Sequence, residues 1–434
     1  MQHSEREDVS EDISITVIDS ELECSIFRIH NLLRKVNESA YEPEIIAIGP
    51  YHHGKRDLMN MEGHKEQYQK LLLGQNIKKY VEAVGPLKEK AQKCYAKPIN
   101  PSPQDFVNMM VLDGCFIIQL LLHFNRQNVR DNNDPIFKQD WILNSLQRDL
   151  MLLENQLPFF ILCKLYETLE LPNEGGGLIS LALNFFIDLL PVQVSANKNG
   201  NALDNIRHLL DENRNPLDDI RHLLDLIHRF WSTSKLKPQN DVERSTGEYE
   251  SIRCSTQLAE AGIKLEKFDR KDIFDIQFNN GSLQIPTLVI EDRTESFLRN
   301  LIAYEQYRGG GGDQINIVTD YVTFLGCLIK SEKDVTKLSR HGIIRHLVGE
   351  DEVISQMLNK LTVCIIGPSR NFHYAEIFGR LNIHCNRIVN RWMAKLRRNY
   401  CNTPWGIISI TVACLLLILA LLQTIFSILS WKSH

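Results

Sequence analysis

The chain predicts a mainly α fold with a small β-hairpin or sheet element (α+β), plus one C-terminal transmembrane helix. Three observations predict it. Apolar residues recur at three- and four-residue spacing through most of the chain, as the buried side of a helix requires. One stretch, 274–290, instead alternates around an Asn-Gly pair. And no charged residue stands between Gly406 and Ser430, where Ile, Leu, Val, Ala and Phe dominate.

That last run is long enough, at about 1.5 Å per residue, to cross a hydrocarbon layer of about 30 Å. Trp405 and Trp431 stand at its edges, where amphipathic rings favour the headgroup layer. A buried core helix of this length would carry a polar face. The span is therefore read as 405–431, with the lipid bilayer as a partner. Arg387, Arg391, Lys395, Arg397 and Arg398 precede it, whereas only Lys432 and His434 follow. That asymmetry places the long N-terminal part in the cytoplasm, as a tail-anchored protein.

Composition sets further bounds. The 434 residues are 43% hydrophobic and 24% charged, enough for one large or two medium domains with a core. A net charge of −5 gives no electrostatic case for nucleic acid as a partner. Residues 1–23 carry Glu5, Glu7, Asp8, Glu11, Asp12, Asp19, Glu21 and Glu23 against Arg6, which reads as an acidic disordered tail rather than a secretory signal. No Cys-x-x-Cys occurs, and Cys115, Cys163, Cys327, Cys364 and Cys414 lie in apolar runs, so the thiols read as small buried hydrophobes. Asn37 and Asn280 open Asn-x-Ser sequons.

Residues 24–231 read as the helical part of the soluble domain. Ile26–Lys35 predicts a short docking helix, and Ile45, Ile46 and Ile48 a short buried extended piece before the turn Gly49-Pro50-Tyr51-His52-His53-Gly54. Helices are expected over Met59–Leu73, Phe106–Phe124 (one broad apolar face) and Ile136–Leu153, then from Pro158 onward. Glu154, Asn155 and Gln156 fall between two helices, where they can satisfy the orphan backbone groups of the helix ends. One motif occurs twice, 14 residues apart: Leu203 to Asp211 is echoed by Leu217 to Asp225. Two copies are too few for a solenoid, so they read as a lengthened surface helical region. Residues 232–253 form a polar linker or loop.

Residues 254–400 read as the second part of the domain. Phe274, Ile276 and Phe278 alternate, Asn279-Asn280-Gly281 turns, and Leu283–Ile290 returns, with Pro286 marking an edge strand. Asp292 and Glu295 suggest a capping pair for a helix through Leu298 and Ile302. A flexible Gly309–Gly312 loop, an apolar helix over Ile315–Ile329 and a basic helix over His373–Tyr400 complete this part.

No catalytic constellation, cofactor site or metal site is assigned. His52, His53 and His64 lack a completing Cys, Asp or Glu set at ligand spacing; a packed turn or a surface contact patch explains them better. Asp113-Gly114-Cys115 suggests a nucleophile, but His123 lies two helical turns away. The glycine run lacks the Gly-Lys-Ser/Thr of a phosphate loop. The expected interaction surface comprises His52, His53, Arg207, His208, Arg221 and His222, within a recognition region drawn over 195–251.

The chain resembles the plant-specific family called domain of unknown function 247. The resemblance rests on Ile48–Gly54, on Asp113-Gly114-Cys115-Phe116, and on the run from Arg148-Asp149 through Leu153-Glu154-Asn155-Gln156-Leu157-Pro158-Phe159. It continues through Ala259–Ile263, Leu283–Ile290, Thr294-Glu295-Ser296, Arg299–Gln306 and Pro404-Trp405. His30 departs from it, standing where the family often has proline, and the segment 203–225 looks longer than usual. The resemblance implies a helical soluble part on a single C-terminal span, without catalytic residues. Some members in grasses are linked to self-incompatibility, so the implied class is a plant membrane-anchored recognition protein that binds a protein partner. A pollen–stigma role would favour an extracellular face, against the charge asymmetry. The rival class is a membrane-tethered enzyme using the His52/His53 turn beside Glu154 or Cys115.

Overall fold

Apolar spacing of three and four produces helices wherever a partner surface exists to bury it, and the first part of the chain follows that rule. The computed structural model describes residues 24–96, 99, 101–125, 134–170, 177–189, 220–233, 250–269, 272–308, 316–347, 349–363, 365, 372–387 and 404–432. The expected acidic tail, the first copy of the duplicated motif with Arg207 and His208, and most of the polar linker lie outside the described residues. So do the Gly309–Gly312 run and Arg391, Lys395, Arg397 and Arg398.

The entry segment is less helical than its pattern suggests. Ile26 forms a parallel bridge with Tyr95, and only α1 (Asn31–Val36) is helical. The backbone of Ile26 bonds Cys94 and Ala96, and the Ile29 amide donates to Glu154, which draws these residues out of a helix. His30 caps α1 by accepting from the Leu32 amide, and its own amide donates to Tyr307 Oη at 2.8 Å. A proline there would lack that donor.

A 3-10 turn (Arg56–Met61) leads into α2 (Glu62–Leu73), followed by α3 (Ile77–Val84), α4 (Lys88–Lys93) and the long α5 (Pro103–Asn125). Next come α6 (Pro135–Lys138), α7 (Asp140–Asp149), α8 (Phe159–Thr168), α9 (Gly177–Phe185) and α10 (Leu223–Thr233). Helix α5 packs against α2, α3, α4, α8 and α9. It is therefore buried all round from Phe106 to Leu122, save at Asn108 and Leu112, rather than on one face. Close approach to α8 depends on Gly114, where a Cβ would stand 2.3 Å from Leu165 Cδ1.

The pattern over 136–153 splits into two helices and a turn. Asp134 caps α6 at the Ile136 amide, Gln139 is extended, and α7 stops at Asp149. It stops because the side-chain amides of Asn155 and Gln156 take the carbonyls of Asp149, Leu150 and Leu152. Pro158 sits at the N-cap of α8, one residue before the helix.

The second part holds α11 (Ser255–Glu260), β1 (Lys264–Phe268), β2 (Gln277–Asn279), β3 (Ser282–Pro286) and β4 (Leu288–Ile290). It continues with α12 (Thr294–Tyr307), α13 (Ile317–Leu328), α14 (Glu332–Arg340), β5 (Ile344–His346), α15 (Asp351–Leu361) and α16 (Ala375–Asn386), and α17 (Pro404–Lys432) ends the described chain. The hairpin is present: β2 and β3 pair antiparallel across Asn280 and Gly281, at φ 52° and 78°. Two consecutive positive φ angles make the turn whose twist matches flanking strands.

Two expectations about this region are corrected. β3 is the central strand of the order β1-β3-β2, so Pro286 marks no edge; it sits at the last residue of the strand, where the ladder ends. Beyond it, β4 turns away to pair in parallel with β5. Nor do Asp292 and Glu295 cap α12, which begins without a side-chain cap at Arg293. Glu295 instead pairs with Arg299, one turn along the same face, and accepts from Asn37 Nδ2.

Helix α12 packs on the 39–41 turn, on α10, on α13 and on α15. One apolar core thus takes in residues of both parts, from Ile26 to Cys385. Among the described residues, two helical stretches are long and apolar enough to cross a membrane. The window in α5 is 83% buried inside the fold, whereas Thr411–Ile428 in α17 is 0% buried.

The described end of the second copy of the duplicated motif, 220–225, is no surface helix. Ile220, His222, Leu223, Leu224 and Asp225 are all buried, because Asp225 accepts from Tyr304 Oη at 2.6 Å and from the Arg221 amide at 2.8 Å. Asp225→Ala, which orphans the Tyr304 hydroxyl and the Arg221 amide, should lower unfolding free energy by about 2–4 kcal/mol in urea unfolding; an unchanged midpoint would contradict these buried bonds.

Candidate functional site

Residues 44–49 bend at Glu44 and Ile45 and then enter the core at 46–49 without a neighbouring strand among the described residues. Buried amides and carbonyls need partners all the same, and here side chains supply them. The Asp149 carboxylate accepts from the amides of Glu44, Ile45 and Ile46 at 2.8–3.1 Å. Asn155 acts like the edge of a strand: Oδ1 accepts from the Ile48 amide at 2.7 Å, and Nδ2 donates to Ile46 O at 3.0 Å. Asp113, on α5, accepts from the Gly49 amide at 2.8 Å and pairs with Lys65 of α2 at 2.7 Å. The other two ammonium protons of Lys65 reach Ala47 O and Glu62 Oε1. Burial alone would lower the Lys65 ammonium; Asp113 outweighs it and holds it above the ordinary lysine value.

Gln156 completes this joint. Its Nε2 donates to the Leu150 and Leu152 carbonyls, its Oε1 accepts from the Leu224 amide at 3.2 Å, and its carbonyl accepts from Tyr95 Oη. The reading of residues 154–156 as a joint between helix ends therefore holds for Asn155 and Gln156, of which Asn155 also reaches Ile46 and Ile48 and Gln156 the start of α10.

Glu154 holds the N-terminal segment. One oxygen accepts from the Ile29 amide, and the other pairs with Arg34 at 2.6 Å. His52 lies between carboxylates, 3.6 Å from Glu154 and 3.6 Å from Glu42, and neither ring nitrogen has a hydrogen-bond partner. Arg34 and Lys55 both pair with Glu42. Burial, with Lys55 adding to it, lowers His52 to about 3, so the ring is neutral near pH 7. This imidazole–carboxylate approach is closed off: His52 is 2% exposed and Glu154 1%.

A second buried polar cluster lies under α12. His222 Nδ1 accepts from the Asp225 amide, so Nε2 carries the proton and donates to Ser25 O at 3.2 Å. Burial lowers His222 to about 4. One turn on, His228 meets Glu305 at 2.8 Å, and Glu305 also accepts from the Val318 and Thr319 amides at the start of α13.

The expected interaction surface therefore breaks up. His52 and His222 are buried: His52 lies between the Glu42 and Glu154 carboxylates, and His222 meets the Asp225 amide and Ser25 O. Arg221 is half-buried and its carbonyl accepts from the Phe159 amide, while His53 alone of the described set is exposed. Cys115 is core, and burial pushes its thiol up to about 12. His64 is half-buried on α2. A cleft of about 390 Å³ opens elsewhere, lined by Val81, Gly85, Lys88, Ser102, Gln104 and Val107. Trp405 and Trp431 lie in α17 by their backbones. Sequence reasoning missed Asp149, Asn300 and Lys65 as organisers. Asp149 lies in a stretch that carried the family resemblance, while Lys65 sits in an ordinary polar helix pattern with no local signal.

Two outcomes follow from this geometry. Gly49 (φ 70°) would place a Cβ 2.7 Å from the Gln156 carbonyl oxygen, whereas Gly54 (φ 79°) has open space around it. In urea unfolding, Gly49→Ala should cost about 2–4 kcal/mol and Gly54→Ala about 1 kcal/mol; equal costs would contradict the close approach. For pH, the unfolded chain protonates both histidines below about 6.5, but the folded chain resists until about 3 for His52 and about 4 for His222. Their stabilisation is thus complete above pH 6.5 and lost as pH falls towards 4, at up to about 1.4 kcal/mol per pH unit for each. His222→Gln should remove one share of that slope, measured by unfolding at stepped pH; an unchanged slope would contradict a neutral His222.

Comparison with known proteins agrees with the motif resemblance. The family model DUF247, described as plant protein of unknown function, matches residues 26–419. UPF0481 protein At3g47200 of Arabidopsis thaliana is 30% identical over 423 residues, covering 94% of this chain and 87% of that protein. UPF0481 protein At3g02645 of the same plant is 24% identical over 495 residues, covering 93% and 90%. No solved structure matches. The chain belongs to the DUF247 family of plant proteins.

Proposed function

We propose that the chain is a non-enzymatic, membrane-anchored protein that offers its helical body to a protein partner, as a recognition or signalling component. The observation that carries the anchor is α17, whose stretch Thr411–Ile428 is apolar and wholly outward-facing, a surface suited to lipid rather than water. Tryptophans at its two edges and the basic excess before it point the same way. The charge asymmetry favours a cytosolic body.

The interaction role draws support from how the polar side chains are used. Asp149, Glu154, Asn155, Gln156, Asp113 and Lys65 bind backbone groups, and their ion pairs are to neighbouring side chains of the chain itself. The recognition surface is assigned to the region 195–251. Ile220, residues 222–228 and Trp231 are buried, so partner choice is assigned to the other positions of that region. The self-recognition role of some grass relatives is carried over only as a class.

Carbonate washing and protease protection in sealed vesicles test the anchor and its orientation together. Retention in the membrane, digestion of the body and no glycan are expected. Asn280, exposed at the hairpin turn, is the informative sequon, since Asn37 Nδ2 is bonded to Glu295. Release by carbonate would sink the anchor; protection with a glycan at Asn280 would reverse the orientation.

A further inference from the structure

Helix α16 is the last described element before α17, and it is two-sided. Phe378, Leu381 and Cys385 are buried. Glu376, Arg380, Ile383 and Arg387 follow one another at three- and four-residue intervals along the exposed side. Ile383 is 65% exposed. A lone exposed isoleucine needs no explanation by itself. What distinguishes this one is its company. Arg253 reaches Asn386 Oδ1 at 3.4 Å, Arg380 reaches Asn279 Oδ1 of the hairpin at 3.3 Å, and Arg387 ends the helix. Among the described residues Arg253 and Arg387 have no carboxylate partner, and Glu376, at the far end of the stripe, meets Arg380 at 3.7 Å.

The chain beyond adds charge of the same sign. Positions 388–403 carry Arg391, Lys395, Arg397 and Arg398 with no acidic residue, and α17 begins at Pro404. That connection can span at most about 55 Å even fully extended, so α16 is tethered within that reach of the start of α17 and can come to lie on the bilayer surface. Once within about a Debye length of an anionic leaflet, each basic residue is drawn to it by about 1 kcal/mol, and an aliphatic side chain among arginines matches the layered chemistry of a headgroup boundary.

We propose that the face formed by Ile383 with Arg253, Arg380 and Arg387 lies on the headgroup layer of the membrane, its guanidinium groups binding the phosphates of anionic lipids. The inference rests on the reading of α17 as the anchor. It also assigns the β2–β3 turn to the membrane-proximal side, because Arg380 ties the two together.

Lipid photo-crosslinking on the full chain tests it, with the vesicles made of phosphatidylcholine alone or with phosphatidylserine added. A benzoylphenylalanine replaces Ile383 in one sample and Leu417 in another. Lipid adducts are expected at both sites, with the Ile383 yield raised by phosphatidylserine. Combining Arg380→Gln and Arg387→Gln should lower that yield at least about fivefold, the loss one basic residue at an anionic surface accounts for, and leave Leu417 adducts unchanged. Adducts at Leu417 but none at Ile383 would overturn the face while the anchor stands. Adducts at neither site would overturn the anchor itself. Equal Ile383 yields in the two vesicle types would remove the anionic headgroup from the assignment.

Discussion

A backbone segment with no strand beside it is the constraint on which this fold depends. Residues 44–49 cross the core with amides and carbonyls that no neighbouring backbone satisfies, and Asp149, Asn155, Asp113 and Lys65 take the place of a partner strand. Each buried group left unpaired would cost about 1–3 kcal/mol. Several together would reach the whole stability of a domain, about 5–15 kcal/mol. The requirement explains why ionisable groups are tolerated at such depth: each carboxylate is surrounded by donors, and Lys65 has an acceptor for every proton.

The turns at 39–41 and beyond α7 join the two parts of the chain. Ala40 O accepts from Ser296 and Asn300 of α12, while Asn300 Oδ1 accepts from the Leu153 amide in the turn beyond α7. Glu154 in that turn grips the entry segment through Ile29 and Arg34. Phe27 stacks on Tyr307 at the end of α12, with ring centroids 5.3 Å apart. Four pieces distant in sequence therefore meet over one short turn, and the residue run that carries the family resemblance, 148–159, is the run that holds them. Its side chains act on backbone rather than on a ligand.

Much of the architecture was legible because its causes are local. The apolar spacing of 106–124 required a helix, Asn280-Gly281 required a tight hairpin turn, and the polar trio at 154–156 announced a joint between helix ends. The uncharged run after Gly406 marked α17 as a helix with no polar face. What the sequence concealed was direction. Periodicity predicts that α5 has a buried side but not that five helices surround it; it shows β3 alternating but not that β1 pairs on its far edge.

The sequence by itself determined the helical class, the hairpin, the outward apolar helix and, through its motifs, the family, since each depends on residues within a few positions of one another. Tertiary structure alone decided which polar residues are internal. His222 and Arg221 read as a surface motif until Tyr304, 79 residues from Asp225, closes over them. Asp149 read as an ordinary acidic residue until three amides from 44–46 converge on it. A buried polar group is defined by what reaches it from elsewhere in the chain, and spacing along a sequence carries no record of that.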